Sequence, residues 1–221
     1  RDDDMDPAEC DELLERTIRE AERIQRIIRD LLDFARPAPE DEEGVALAAV
    51  VDDAVRLVAP QQDTSRIRIE RRVAEVPPVR GSADRLKQVV LNLVANALES
   101  TGETGRLDIE LVNQTDHIVL NFSDDGCGMT SETIENLFEP FFTTKSTGQG
   151  TGLGLSISHR IISDHGGTIE ATSGGPDLGS QFRLQLPRRS EGVESDWVGT
   201  PAREADEKPQ TRTIETDGKF W

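Results

Sequence analysis

Gly148-Gln149-Gly150-Thr151-Gly152-Leu153-Gly154-Leu155-Ser156-Ile157 is the stretch whose reading decides the fold. Glycines crowd in ahead of a helical pattern that runs from Leu153 to Asp164. A helix start of this kind offers free backbone N–H groups and the positive end of the helix dipole, which suits phosphate. No Gly-Lys-Ser/Thr follows, so this is not a P-loop. Glu170 lies about 20 residues on, where dinucleotide folds carry their ribose-binding acid. The glycines at 150, 152 and 154 do not fit Gly-x-Gly-x-x-Gly, however, and the segment ahead of them, Phe141 to Ser146, is a poor strand. Neither His-Arg-Asp nor Asp-Phe-Gly occurs, which sets the chain apart from Ser/Thr/Tyr kinases.

Working outward, the flanking patterns predict strands interrupted by helices. Val45 to Leu47 reads as a short strand, and Ala48 to Ala59 as a helix ended by Pro60. Arg66 to Glu70 alternates as a strand does. Ser82 to Ser100 has helical periodicity, and Arg106 to Val112 with His117 to Phe122 form a hairpin pattern. A short helix is predicted over Ser131 to Phe138, and a last strand pair over Gly167 to Ser173 and Gln181 to Leu186. Helices gathered on one side of such strands imply an α+β fold, a two-layer α/β sandwich, over residues 45–188.

Residues 1–36 differ. Asp6 caps a helix with Pro7 at its first position. Leu14, Thr17, Ala21, Ile24, Ile28, Leu31 and Ala35 recur at alternating steps of three and four, the seam of a coiled coil or helix bundle. An amphipathic helix packed on its own domain is the alternative. The seam's length and its abrupt end in the Pro/Glu/Asp-rich linker, residues 37–44, favour an intermolecular bundle. Residues 189–221 are rich in charge, Thr and Pro and cannot bury enough surface to fold alone, so they read as a disordered tail.

Three further segments carry chemistry. Asn92, Asn96 and Glu99 stand four and three residues apart on one helical face. Such a stripe is solvated, paired or filled by a ligand. Amide oxygens supplemented by water and phosphate suit magnesium. Asp124-Asp125-Gly126-Cys127-Gly128-Met129, at the end of a predicted strand, sets a carboxylate at the base of a glycine turn. That carboxylate is an acceptor for a donor such as the adenine amine, and the glycines let backbone approach a flat ring. Phe138-Glu139-Pro140-Phe141-Phe142-Thr143-Thr144-Lys145 joins aromatic anchors to a glycine-rich run, the profile of a lid from which Lys145 can reach a terminal phosphate. A solvated face, a simple tight turn and a solvated lysine are the respective alternatives.

The chain has 221 residues, 35% hydrophobic and 31% charged, with a net charge of −18. Nucleic-acid binding is disfavoured by that charge. No apolar run approaches the roughly 18 residues of a membrane span. Cys10 and Cys127 are isolated, which fits a reducing cytoplasmic compartment; an upstream membrane anchor is compatible with a sequence that opens at Arg1-Asp2-Asp3-Asp4.

In order and spacing these segments resemble the catalytic domain of sensor histidine kinases, within the ATPase superfamily that includes gyrase B, mismatch-repair ATPases and heat-shock chaperones. Asn92–Ser100 resembles the N box, Asp124–Met129 the first glycine box, Phe138–Phe142 the F box and Gly150–Leu155 the second glycine box. His165 to Ile169 and Gly179 to Leu184 resemble the last two strands, and Arg29 to Arg36 the second helix of the dimerisation hairpin. The resemblance implies ATP and Mg²⁺ as ligands. It assigns the metal to Asn96 with Asn92 beside it, and the adenine amine to Asp124, in a pocket shaped by Gly126, Gly128 and Met129. The phosphates fall to Gly150, Thr151, Gly152, Leu153, Gly154 and Leu155, adenine support through a water to Ser180, and a catalytic part to Asn92, Asn96 and Lys145. It implies transfer of the γ-phosphoryl group to a histidine and relay to a response regulator receiver domain, with a homodimeric full-length protein. The three histidines, His117, His159 and His165, match no acceptor motif. The acceptor is therefore expected on a hairpin domain outside this sequence or on another chain. A nucleotide-holding regulator without transferase activity is the alternative. The F-box aromatics and the Leu31-Leu32-Asp33-Phe34 helix argue against a chaperone or topoisomerase fragment.

Overall fold

The computed structural model describes residues 7–35, 43–58, 67–102, 104–145, 150–188 and 211–214. The first element is helix α1, Pro7–Ala35. It is followed by β1 (Glu43–Val45), α2 (Leu47–Val58), β2 (Ile67–Val73), β3 (Val79–Gly81) and α3 (Ala83–Thr101). Then come β4 (Gly105–Asn113), β5 (His117–Asp124), α4 (Ser131–Asn136), α5 (Gly154–Asp164), β6 (Thr168–Thr172), β7 (Ser180–Pro187) and β8 (Thr211–Ile214).

The main sheet has the order β6-β7-β5-β4-β2-β8. β2 and β4 run parallel, because α3 carries the chain across between them, and the remaining pairs are antiparallel. Alternation sets the faces. Leu107, Ile109 and Leu111 of β4, Ile118, Leu120 and Phe122 of β5, and Phe182, Leu184 and Leu186 of β7 are buried. They form one core with Val50, Val51, Ala54 and Val55 of α2, Leu86, Val89, Val90, Leu93 and Val94 of α3, and Ile157, Ile161 and Ile162 of α5. The opposite face is polar: Arg106 bridges Glu70 at 3.0 Å and Asp108 at 2.9 Å, and Arg68 meets Glu70 at 2.7 Å. A sheet with helices on one face and charge on the other is the two-layer sandwich that the pattern predicts.

Two pins hold the helices in place. Ser82, the N-cap of α3, accepts from the Arg85 amide, and its own N–H donates to His165 Nε2 at 3.1 Å. His165 Nδ1 lies 2.7 Å from the Ile161 carbonyl, so the imidazole donates there and accepts from Ser82. Gly81 leaves room for this ring, since a Cβ there would come within 2.1 Å of it. The second pin is Arg71, which leaves β2 on the helix side, is almost fully buried and ion-pairs with Asp52 of α2.

Some boundaries differ from the sequence reading. The first strand is Glu43–Val45 rather than Val45 to Leu47, so it begins inside the segment read as linker, while Leu47 opens α2 and is buried. Its partner β3 was not foreseen: three residues after Pro77-Pro78 are too few to show alternation. Within the segment read as a tail, Thr211–Ile214 forms β8 and pairs antiparallel with β2; the rest of 189–221 lies outside the described residues. So do Asp6, read as the cap of α1, Arg36, and residues 37–42 of the linker. Helix α1 leaves Leu14, Ile24, Ile28 and Leu31 of its seam exposed. Among the described residues, no helix is long and apolar enough to cross a membrane.

Candidate nucleotide-binding site

One face of α3 organises the site. Asn92, Asn96, Glu99 and Ser100 lie along it, spread over about 12 Å at 1.5 Å per residue. Between them they meet three other parts of the chain. Asn92 Nδ2 donates to Ser158 Oγ of α5 at 2.9 Å. Asn96 Oδ1 accepts from Lys145 Nζ at 3.3 Å, and Glu99 pairs with the same ammonium. Ser100 Oγ donates to Asp124 Oδ1 at 3.0 Å.

At the Ser100 end, Asp124 closes β5. Its Oδ1 also accepts from the Gly126 amide at 3.0 Å. Burial pushes this carboxyl above its ordinary pKa, and the neighbouring Asp125 charge adds to the rise; hydrogen bonds from Gly126, Ser100 and the Ser180 amide oppose it. Ser180, nearly buried at the start of β7, is the register partner of Asp124. The turn after Asp124 is fastened to the loop between β6 and β7. Met129 N–H donates to Ser173 Oγ at 3.0 Å, Asp177 N–H to the Cys127 carbonyl at 2.7 Å, and Gly179 N–H to the Gly126 carbonyl at 3.1 Å. Gly128 has φ +64°, and a Cβ there would lie 2.1 Å from the Gly175 carbonyl oxygen, so only glycine allows the two loops to touch.

At the Asn92 end stands the start of α5. Its N-cap, Leu153, makes no side-chain cap. First-turn N–H groups without a capping side chain are the donors that an anion uses. Asn92 Oδ1 lies against Gly154, where a Cβ would approach to 2.4 Å. Leu153 is 1% exposed: its side chain is in the core, so its part in the site is to anchor this corner. Leu155 is partly buried against the same core. Thr151 Oγ1 accepts from the Leu153 amide at 3.3 Å.

The lid segment is rooted at Phe141, a non-glycine residue at φ +70°. Its N–H donates to the Gly152 carbonyl at 2.9 Å, and a Cβ on Gly152 would fall 2.4 Å from the Phe141 carbonyl carbon. F box and second glycine box thus cross backbone to backbone. Phe138 packs its ring on His159 of α5, centroids 5.2 Å apart. Gly150 lies against Thr143 and the Lys145 stem. Residues 146–149 lie outside the described residues.

The residues fit a magnesium nucleotide. Among the described residues, no three His, Cys, Asp or Glu side chains gather as an all-protein metal site. Asn96 offers one amide oxygen, and the neighbouring Glu99 carboxylate is already paired with Lys145. A donor set this sparse suits an ion that keeps its waters and leans on phosphate. Of the residues singled out in the sequence, Asn92, Asn96, Asp124, Lys145 and the start of α5 come together along one helix. Ser100, Ser158 and Ser173 were missed, although Ser100 shares the face of Asn96 at four residues' spacing and was legible from it.

Residues 81–190 match the family described as histidine kinase-, DNA gyrase B- and HSP90-like ATPase. The sensor histidine kinase ZraS of Escherichia coli strain K12 is 31% identical over 180 residues, covering 81% of this chain and 38% of ZraS. The chain thus spans about two fifths of that relative's length. The catalytic domain of histidine kinase ThkA superposes with a TM-score of 0.60 at 31% identity, covering 67% of this chain and 98% of that domain. ThkA solved in complex with the response regulator protein TrrA has a TM-score of 0.67 at 26% identity, covering 86% of this chain and 54% of that one. With the first glycine box, the start of α5 and the lid lysine set against one face of α3, the chain belongs to the histidine kinase-like ATPases and carries the ATP-binding catalytic domain of a sensor histidine kinase.

Proposed function

We propose that this domain binds ATP with Mg²⁺ and passes the γ-phosphoryl group to a histidine on a dimerisation hairpin, for relay to a response regulator receiver domain. The observation that carries this reading is the α3 face, where an acidic turn, a lid lysine and an uncapped helix start meet successive residues of one helix. Asp124 accepts the adenine amine while Gly126, Gly128 and Met129 shape the pocket, with Ser180 behind it. The first-turn amides of α5 hold phosphate oxygens, and Gly150, Thr151 and Gly152 bring backbone close to them. Asn96 ligates the metal; Asn92, tied to Ser158, keeps α3 and α5 in register and so spaces metal from phosphate. Lys145 meets the terminal phosphate. Bound magnesium supplies charge neutralisation across the phosphates. The protein's contribution is positioning and charge stabilisation rather than covalent chemistry.

None of the three histidines is placed as an acceptor. His117 is the exposed first residue of β5, His159 packs against Phe138, and His165 is hydrogen-bonded to Ser82. The acceptor comes from a hairpin outside this sequence or on a second chain, and the exposed seam of α1 is the half-hairpin on which a full-length homodimer would form. The protein works in the cytoplasm, where Cys10 and Cys127 stay as free thiols. ThkA solved with its response regulator supports the relay to a receiver domain. The test supplies a separate histidine hairpin and radiolabelled ATP. Label on the hairpin histidine, chased onto a receiver domain, is expected. Tight ATP binding with no label on any hairpin favours a nucleotide-holding regulator instead.

A further inference from the structure

Lys145 occupies an unexpected place for a residue assigned to a phosphate. Its Nζ sits 3.3 Å from Asn96 Oδ1 and pairs with Glu99 Oε2, so the ammonium stands beside the very oxygen that the nucleotide reading gives to the metal. The position is built. Glu99 follows Asn96 by three residues and projects from the same face of α3. The Lys145 stem runs over Gly150, where a Cβ would come within 3.3 Å of its Cδ, so a larger residue at 150 would displace it. Lys145 N–H is turned in by Thr143 Oγ1 at 3.2 Å. The pair is nevertheless replaceable. Side-chain exposures of 37% for Lys145 and 46% for Glu99 leave it screened by water, and ion pairs so exposed are weak.

Glu99 also raises a question of charge. A carboxylate next to a polyphosphate repels it unless a cation lies between them. We propose that Asn96 and Glu99 together form a cation seat, held by the Lys145 ammonium and taken over by a divalent cation when the metal-bound nucleotide enters. This rests on the nucleotide reading above and assigns Glu99 a part in it. The exchange keeps the seat neutralised at every stage. It also releases Lys145 for the terminal phosphate only when the metal has arrived. ATP without metal meets both an uncompensated Glu99 and a lysine that must first be pulled away from it, so the metal requirement is partly written into this one carboxylate.

The test measures affinity for ATP by calorimetry, with magnesium and with EDTA, in the unaltered chain and in Glu99→Gln, Lys145→Met and the double variant. All positions are partly exposed, and circular dichroism checks the fold. Glu99→Gln is expected to tighten metal-free ATP by roughly tenfold, on the scale of one removed charge contact near a surface, and to shrink the gain from magnesium in proportion. In the Lys145→Met background, where no ammonium screens Glu99, the same substitution is expected to tighten metal-free ATP at least as much. An unchanged ratio of metal-free to metal-bound affinity in Glu99→Gln overturns the seat. So does a tightening that is lost in the Lys145→Met background, which would mean that Glu99 acts only by restraining the lysine. A chain that binds no ATP with or without magnesium fails earlier, at the nucleotide reading itself.

Discussion

In the proposed site Asp124 accepts from the adenine amine, and it accepts best while ionised, when both oxygens offer their lone pairs. Burial raises its pKa, and the ionised form leans on Gly126, Ser100 and Ser180 to persist. The sign follows: protonation sets in at a higher pH than for a free carboxylate, so ATP affinity weakens as pH falls toward that raised value. Calorimetry across a pH series reads this directly. Asp124→Asn is expected to cost about 1–3 kcal/mol of binding, the scale of one mispaired buried group, and to flatten the pH profile. Equal affinity and an equal slope in the variant would remove Asp124 from the adenine pocket. Phe141 illustrates the residue scale differently. A bulky residue at positive φ costs on the order of 1 kcal/mol. It is held there by its hydrogen bond to Gly152, which aims the lid segment back across the start of α5.

Between elements, the tie between α2 and the sheet depends on Arg71 and Asp52. Arg71 is nearly buried, and its Nε lacks a hydrogen-bond partner. Removing only the acid strands a buried cation, whereas removing the cation in favour of an apolar side chain of similar length leaves nothing uncompensated. Asp52→Ala is therefore expected to destabilise the domain by about 1–3 kcal/mol, below the roughly 3–5 kcal/mol of fully buried pairs because Asp52 itself is partly exposed. Arg71→Leu is expected to be close to neutral. Urea unfolding of both variants decides it; a larger loss for Arg71→Leu would mean that the guanidinium stabilises by itself. Helices α3, α4 and α5 and the hairpin of β4 and β5 were legible because each is long or sharply capped. β1 and β3 were not: a three-residue strand carries no period, and each exists only through the other.

At the scale of the whole molecule, the sheet ends at β2 unless the distal segment joins it. Thr211–Ile214 supplies that last strand, from Ile69 opposite Ile214 to Arg72 opposite Thr211. A segment too polar to fold alone can still pair with an edge, since the edge offers ready-made donors and acceptors. Deleting residues 189–221 is expected to lower hydrogen-exchange protection along β2 while sparing β5 and β7, and to promote self-association as concentration rises. Unaltered protection in β2 would show that β8 adds nothing to the edge. The other exposed surface is the seam of α1, where Leu14, Ile24, Ile28 and Leu31 are uncovered. Its heptad spacing was plain from the sequence, and the structure leaves these four residues of it exposed.

Residue type and spacing along the chain determined the chemistry: amides and an acid on one helix face, a carboxylate ahead of two glycines, and glycines ahead of a helix. These are local properties, expressed over at most a few turns, and a linear string carries them whole. Which of those groups meet was decided only in three dimensions. Ser100 with Asp124, Asn92 with Ser158, Lys145 with Glu99 and Ser173 with Met129 pair across 24, 66, 46 and 44 residues respectively. Contacts at such separations depend on how β2, α3 and β4 cross over and on how tightly the loops close, and backbone packing at Gly128 and Gly152 fixes that closure.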